Sequence, residues 1–507
     1  MGNDYRPGVV VRMPFERLTE DEIGAIDAAS TRLLEEIGLQ CFNDEAAGIF
    51  KSNGCAVERR DERSHTVKIP GAVLKEFIAR APSKVKLGAR DPRNALLLDA
   101  EVPRIYFGSG SETNVWLDAH MEDFVSEQDP SRKRRLAVFT KQRGTVERLR
   151  TAARLAEQLD NLDFFIRPVN IQDEDITPEN HDVNKFYASL SNITKHVMAG
   201  LTSIEQLDNI VRMAEILAGG KEALKENPIV SFITCTVKSP MEMVDDATEK
   251  LIHFSRRGLP FVVSSSPQGG STAPVQEGGM VAQINAEILS GVALSQMVNP
   301  GTPVIYGSVP VRARMDNLHD MYGAPEFNQY NIDCVQMARH YRIPCYSTAG
   351  VADSSWPGMQ ASIEKLFTHV PMAMSGAQYI HYAFGLLERT NIFCPAQAVL
   401  DNQHIGMIKM FLSEPRLGAE DMDKTFEQIR KVLGSKQKLY VRFARKGLRD
   451  GSIYPHYPFE ADGGDGVIEK ALAKLEELLA RPAKGVPKEQ EDRIFGEVPG
   501  IVERLRN

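Results

Sequence analysis

Tryptophan is scarce, with two in 507 residues. Cysteine is sparse and scattered. Cys41, Cys55, Cys235, Cys334, Cys345 and Cys394 include no CxxC or other close pair, so neither a zinc ribbon nor a dithiol redox centre is encoded. Reduced, buried thiols packing as small hydrophobes are expected instead, in the cytoplasm. No histidines stand at HExxH or similar spacing, and no metal is expected. No charge-free apolar run approaches about 18 residues, so no membrane-spanning helix is expected. The N-terminus, MGNDYRPGVVVRMPFERLTEDE, lacks the apolar core of a secretory leader. Basic residues are the minority, 60 against 68 acidic, for a net charge of −8. That balance argues against a general nucleic-acid binder and leaves room for a local basic patch.

What is present is ordinary for a globular chain: 42% apolar and 25% charged residues. The length suits one large domain with additions, or two to three domains. The first 125 residues read as a mixed region. IDAASTRLLEEIGLQC (26–41) places Ile26, Ala29, Leu33, Leu34 and Ile37 at helical spacing, with Gly38 as C-cap. Asn43 is placed to cap a second helix that Gly54 ends. KVKLGARD, ALLLDA, PRIYFGSG and NVWLDA read as β-rich segments.

A repeat follows. Apolar runs recur at FFIRPVNI (164–171), HVMAGL (196–201), PIVSFITCTV (228–237), LPFVVSSS (259–266), TPVIYGSV (302–309), IPCYSTAG (343–350) and AQYIHYAF (377–384). Starts lie about 31 to 43 residues apart, the length of one strand–helix unit. Continuous apolar strands alternating with amphipathic helices imply a parallel sheet covered by helices. Seven in order fit a (β/α)8 barrel better than an open sheet. The eighth strand has no evident place. The chain therefore divides into an N-terminal helix–strand region (1–125), a barrel (126–403) and a helical C-terminal extension packed outside it (404–507).

In such a barrel the loops after the strands form the active face. One of them, SSSPQGGSTAPVQEGG (264–279), is nearly bare of core-forming side chains. Small residues let a backbone approach a ligand closely; a mobile surface loop is the competing reading. Gln283 and Glu287 lie one turn apart on the helix that follows, and in so apolar a helix they need polar partners or a polar cavity.

Four blocks carry a family resemblance: ASTRLLEEIGLQCFNDEAAGIF with RIYFGSG, KRRLAVFTKQRGTVERLRTAARLAEQLDNLDFF, GGSTAPVQEGGMVAQINAEILSGVALSQMVNPGTPVIYG, and STAGVADSSWPGMQASIEKLFTHVPMAMSGAQYIHYAFGLLE. They resemble the trimethylamine–corrinoid methyltransferase superfamily over nearly the whole chain and in the same order. The resemblance implies a (β/α)8 barrel. It also implies transfer of a nitrogen-bound methyl group to the reduced cobalt of a separate corrinoid protein, with no tightly bound cofactor, and a homo-oligomer. The glycine-rich rim Gln268, Gly269, Gly270, Ser271 and Thr272 would face the corrinoid.

The trimethylamine enzymes carry pyrrolysine within a motif resembling SDS-x-PD; in ADSSWPG the aligned residue is Trp356. This chain is thus similar to the pyrrolysine-free branch, whose characterised members demethylate quaternary amines such as glycine betaine. A quaternary ammonium needs aromatic faces. Trp356, Tyr346, Tyr382 and Phe384 are the candidates, with core packing the competing reading for the tyrosines and phenylalanine. Arg312, beside Arg314, is a candidate for a carboxylate. His381, on the last strand, joins Gln283 and Glu287 as a candidate catalytic group. Where relatives resemble FSYEQLVID, this chain reads IFCPAQAVLD: Gln397 and Asp401 match, while Ala396 replaces an acid. Two other readings remain: a barrel lyase or aldolase using Lys195 or Lys238 as a Schiff-base amine, and a binding homologue without catalysis.

Overall fold

All seven apolar runs form short parallel strands whose side chains are buried on both faces, as a helix-covered sheet requires. They are seen in a computed structural model that describes residues 5–125, 133–415, 417–460 and 466–506, the side chains at 133 and 134 excepted. With one strand added ahead of them, the set is β1 (Arg104–Phe107), β2 (Phe164–Ile166), β3 (His196–Ala199), β4 (Val230–Thr234), β5 (Phe261–Ser265), β6 (Val304–Ser308), β7 (Cys345–Thr348) and β8 (Tyr379–His381). From β2 to β8 the neighbours pair in chain order, all parallel. A helix follows each strand, from Val146–Gln158 after β1 to Pro395–Phe411 after β8.

β1 comes from the mixed N-terminal region. It pairs in parallel with β8, Tyr106 opposite Tyr379. On its other side the sheet curls until Gly108 bridges Phe164 in parallel. There the Asp163 N–H donates to Phe107 O at 2.6 Å. Val9–Val10 adds an antiparallel ninth strand. β1 escapes the sequence period because the long hairpin Val115–Val125 with Lys133–Arg143 separates it from its helix. The expected boundary at 125/126 abuts residues 126–132, which lie outside the described residues. Helix Pro395–Phe411 runs across the expected boundary at 403/404.

The helix expected from Ile26 begins earlier, at Glu20, and ends at Gly38 as expected. Thr19 caps Glu20–Arg32 with a reciprocal Glu22 bond. A wider turn follows at Leu33–Ile37, and Gly38 stops it at φ +81°. Leu39–Cys41 then leaves as a strand paired with His65–Lys68 and Glu242–Met243. The β-branched and aromatic interior of the curl is stoppered at one end by the hairpin Lys84–Leu87 with Leu96–Asp99, whose Val85, Leu87, Leu96 and Leu98 meet Tyr106, Phe164 and Tyr379. No helix among the described residues is long and apolar enough to cross a membrane.

His196 sits beneath that stopper. Its Nδ1–H donates to Gly88 O and its Nε2 accepts from the Ser231 hydroxyl, both at 2.7 Å. Burial lowers its pKa to about 4, against about 6.5 in an unfolded chain. Between those values the unfolded state holds a proton that the folded state does not. Stability therefore falls as pH drops from 6.5 to 4, by up to about 1.4 kcal/mol per pH unit for this group. A melting series from pH 7 to 4.5 should show that slope in the wild type and a shallower one in His196→Gln; equal slopes would refute it.

Candidate active site

The C-terminal ends of the strands surround a cavity of about 710 Å³. Its floor is apolar: Ile166 from β2, Met198 and Ala199 from β3, Ile233 from β4. Its walls are polar and come from the loops: Glu112 after β1, Gln268 after β5, Asp320 after β6, and residues 388–391 after β8. Eight described non-glycine residues have positive φ, and five of them, Ser111, Leu318, Tyr382, Glu388 and Arg389, line this cavity. Backbone held in that costly region concentrates at functional sites, so the strain marks the cavity independently of its shape.

Charge enters on the wall nearest β2. Glu112 and Arg167 form an ion pair, the carboxylate side chain 54% exposed to the cavity and the arginine 4%. Burial works to raise the Glu112 pKa, but the charges of Arg167 and Lys185 outweigh it and hold the group below the ordinary value. Lys185 is itself buried and paired with Asp182 at 2.5 Å; burial, helped by Arg167, lowers its pKa to about 8. The Arg167 Nε and Nη1 donors have no partner, an unusual state for a buried guanidinium. Opposite, Gln268 donates to Asp320, whose carboxyl burial pushes up. Glu388 accepts from Ser355, Asn391 and Lys141.

Aromatic faces complete the recess. Tyr346 and Tyr382 flank the His381 ring, with centroids 3.9 and 3.8 Å from it. The His381 Nδ1–H donates to Ser347 O at 2.7 Å, and burial takes the group down to about 3, so a neutral imidazole serves as the stacking surface. Both tyrosines line the cavity, and burial raises both phenols, leaving neutral rings. Gly110 permits this: a Cβ there would lie 2.6 Å from Tyr382 Cδ1.

Of the residues singled out by sequence, Gln268, Tyr346 and Tyr382 meet at the cavity, with His381 behind the two rings. Gln283 and Glu287 point elsewhere. Gln283 donates to Thr272 O and to Glu287. Glu287 accepts from Ser239, Met241 N–H and Ser265 at 2.7, 3.1 and 2.5 Å, tying the loops after β4 and β5 to the helix. The rim 268–272 is a closed turn rather than a loose loop: the N–H groups of Ser271 and Thr272 both donate to Gln268 O, and Gly270 supplies φ +90°. Arg312 pairs with Glu326 at 3.4 Å and Arg314 with Asp316. Phe384 is buried toward helix Val146–Gln158. Gln397 donates to Asp401 inside its own helix. Trp356 is 45% exposed on the outer rim, its ring 5.6 Å from Lys141 Nζ and 6.1 Å from the Phe139 ring; it does not line the cavity.

The sequence reading missed Glu112, Arg167, Asp320 and Arg389. Two had a signal: Arg167 is a charge inside an apolar strand, and Glu112 follows RIYFGSGS directly. Five cysteines are buried as expected; Cys235 is exposed and opens onto the cavity.

The sequence model of the family described as trimethylamine methyltransferase matches residues 6–440. The chain belongs to the trimethylamine methyltransferase family. The trimethylamine methyltransferase of Desulfitobacterium hafniense is 32% identical over 392 residues, 77% of this chain and 74% of that one. That of Methanosarcina barkeri is 30% identical over 418 residues, 80% and 79% of the two chains. A glycine betaine methyltransferase of Desulfitobacterium hafniense is 26% identical over 475 residues, 92% of each. In this methyltransferase-family chain the lysines considered for imine chemistry stand away from the cavity. Lys195 precedes β3, at the opposite end of the strand, and its Nζ donates to Ala156 O and Leu159 O. Lys238 lies on the short hairpin with Glu242–Met243. No described lysine lines the cavity.

Proposed function

We propose that this methyltransferase takes its methyl group from a small quaternary ammonium compound, glycine betaine first among those to test, and passes it to the reduced cobalt of a separate corrinoid protein. The supporting observation is the cavity itself: two tyrosine faces and the carboxylates of Glu112, Asp320 and Glu388, beside Arg167 and Arg389, with no lysine among the described lining residues. A tetra-alkylated nitrogen donates no ordinary hydrogen bond, and ring faces and carboxylates are what attract it. It has no lone pair to attack an imine, and this chain carries no pyrrolysine. The two partnerless donors of Arg167 suit a carboxylate at the far end of the same molecule. The betaine relative's alignment over 92% of each chain agrees with this reading.

The cobalt supplies the nucleophile. The residues here hold the donor against Tyr346 and Tyr382, balance its charge through Glu112, and keep water from the apolar floor. The small-residue rim 268–272, flanked by exposed Val275, Met315 and Leu318, leaves the mouth uncovered for the corrinoid protein. We read the curled sheet as a (β/α)8 barrel with the Gly108–Phe164 bridge as its closure, and the chain as 1–125, 126–403 and 404–507, the first part lending β1.

The test is anaerobic incubation with the cognate reduced corrinoid protein, following methyl-cobalt absorbance. Glycine betaine, proline betaine, carnitine, choline and trimethylamine are compared. Methyl-cobalt is expected with a quaternary donor and not with trimethylamine. None with any quaternary donor rejects the proposal; calorimetric betaine binding without methyl-cobalt would instead identify a binding homologue.

A further inference from the structure

Helix Ala419–Leu433 of the C-terminal extension buries one residue, Val432. Asp421 and Gln428, on the same side, are half-buried. A second face is apolar and exposed, with the Arg430 guanidinium 5.0 Å from the Phe426 ring centroid. Met422, Phe426, Ile429 and Leu433 are 53, 58, 39 and 62% exposed. Their spacing of four, three and four residues is that of a coiled-coil seam, in which every second position along the contact meets a partner helix. Single exposed apolar side chains need no explanation, whereas a continuous stripe does. Phe411 and Leu417 before it are also large and exposed. They enlarge the apolar area toward what a stable interface buries, about 800 Å² per partner.

Charge selects the occupant. Across 419–433 the acids are Glu420, Asp421, Asp423 and Glu427, and the bases Lys424, Arg430 and Lys431. The stripe itself therefore offers no cationic face to an anionic lipid surface or nucleic acid; the bases Lys436, Lys438, Arg442, Arg445, Lys446 and Arg449 belong to the segment that follows the helix. The charges are polarised, with Glu420, Asp421 and Asp423 toward the N-terminus and Arg430 and Lys431 in the last turn. That polarity complements the helix dipole of one copy, and it also makes the surface self-complementary when the helix is reversed. A two-fold axis between Phe426 and Ile429 sets Met422 against the partner's Leu433 and Phe426 against the partner's Ile429. Asp423 and Arg430 flank the seam; within one copy Arg430 pairs with Glu427 at 2.9 Å and lies over the Phe426 ring, and in the pair it turns to the partner's Asp423. A two-fold contact requires this reciprocity, in which residue i meets j and j meets i. A parallel pairing would set like charges together.

We propose that helix Ala419–Leu433 pairs antiparallel with the same helix of a second copy of this chain, through Met422, Phe426, Ile429 and Leu433, with Asp423 and Arg430 fixing the direction. The inference is independent of the substrate reading.

The test measures the mass of the full-length protein by sedimentation equilibrium over a concentration series. The wild type is expected as a dimer or an even-numbered assembly. F426D with L433D should halve that mass, or weaken association at least tenfold, with an unchanged far-ultraviolet spectrum and melting temperature. D423R alone and R430D alone should each weaken association. Mixing the two single variants should restore it as a heterodimer, because every contact then joins one acid to one base. An effect confined to one chain cannot produce that rescue. A monomeric wild type, an unchanged mass for F426D with L433D, or failure of the mixture to recover overturns the proposal.

Discussion

Exchange of Glu112 for glutamine should lower kcat/KM for a cationic methyl donor about 100-fold, mostly through KM. The carboxylate is the charged wall residue next to the apolar floor, and its side chain is 54% exposed to the cavity. A cation about 5 Å away in a medium of effective dielectric constant near 20 gains roughly 3 kcal/mol from such a charge, which is about two decades in binding. Glutamine keeps the shape and removes the charge. It also leaves Arg167 without its ion partner, and Arg167 is almost fully buried. The wall then turns from neutral to positive just where a cation must dock, so substrate and transition state lose attraction together and KM carries the loss. Steady-state kinetics with glycine betaine and the corrinoid acceptor check this. A change below about threefold would remove Glu112 from the binding wall. A melting curve taken in parallel separates lost binding from lost folding, since the freed guanidinium costs stability as well.

The fold was more legible than the site because the two are written in different ways. A parallel strand buried on both faces needs an unbroken apolar run, and FFIRPVNI or TPVIYGSV announces itself without reference to the rest of the chain. β1 is just as apolar in RIYF, yet the hairpin between it and its helix destroys the period by which a repeat is recognised. The cavity has no local pattern. Glu112, Arg167, Asp320 and Glu388 come from four different loops or strands and become neighbours only when the sheet curls.

Polar residues on helices were the misleading signal. Gln283 and Glu287 stand four apart on one helix, and so do Gln397 and Asp401 on another. Each pair is a glutamine donating to a carboxylate one turn along, at 3.0 and 2.9 Å, and each carboxylate then accepts a backbone N–H from a loop, Met241 in one case and Gly385 in the other. An apolar helix with two polar positions resembles a helix lining a pocket. Here the same requirement, that buried polar groups find partners, is met by holding loops in place. Trp356 differs in kind: its loop position was legible, but whether it faces the cavity or the outer rim depends on the Ser355–Glu388 bond and the Phe139 ring, which belong to distant segments.

The second of these clamps predicts the largest loss of stability. Asp401 and Lys365 are both completely buried, with Nζ 3.0 Å from Oδ2. Asp401 also accepts from the Gly385 N–H at 2.7 Å and from Gln397 at 2.9 Å, and Lys365 donates to Gly350 O. Burial lowers the Lys365 pKa, while the Asp401 charge opposes that shift. Asp401→Ala removes one charge and leaves the other buried and unpaired, so a loss of about 3–5 kcal/mol is expected. The double change Lys365→Met with Asp401→Leu should recover about half of that, because it removes both charges but leaves Gly350 O and Gly385 N–H without partners. A melting-temperature drop for Asp401→Ala of under about 2 °C, or a double variant no better than the single one, would contradict the account. The two glycines lie on the loops that lead to Trp356 and away from Tyr382, so lost pairing here should displace the aromatic wall of the cavity. Glycine betaine affinity in Asp401→Ala is therefore expected to fall at temperatures well below the melting transition.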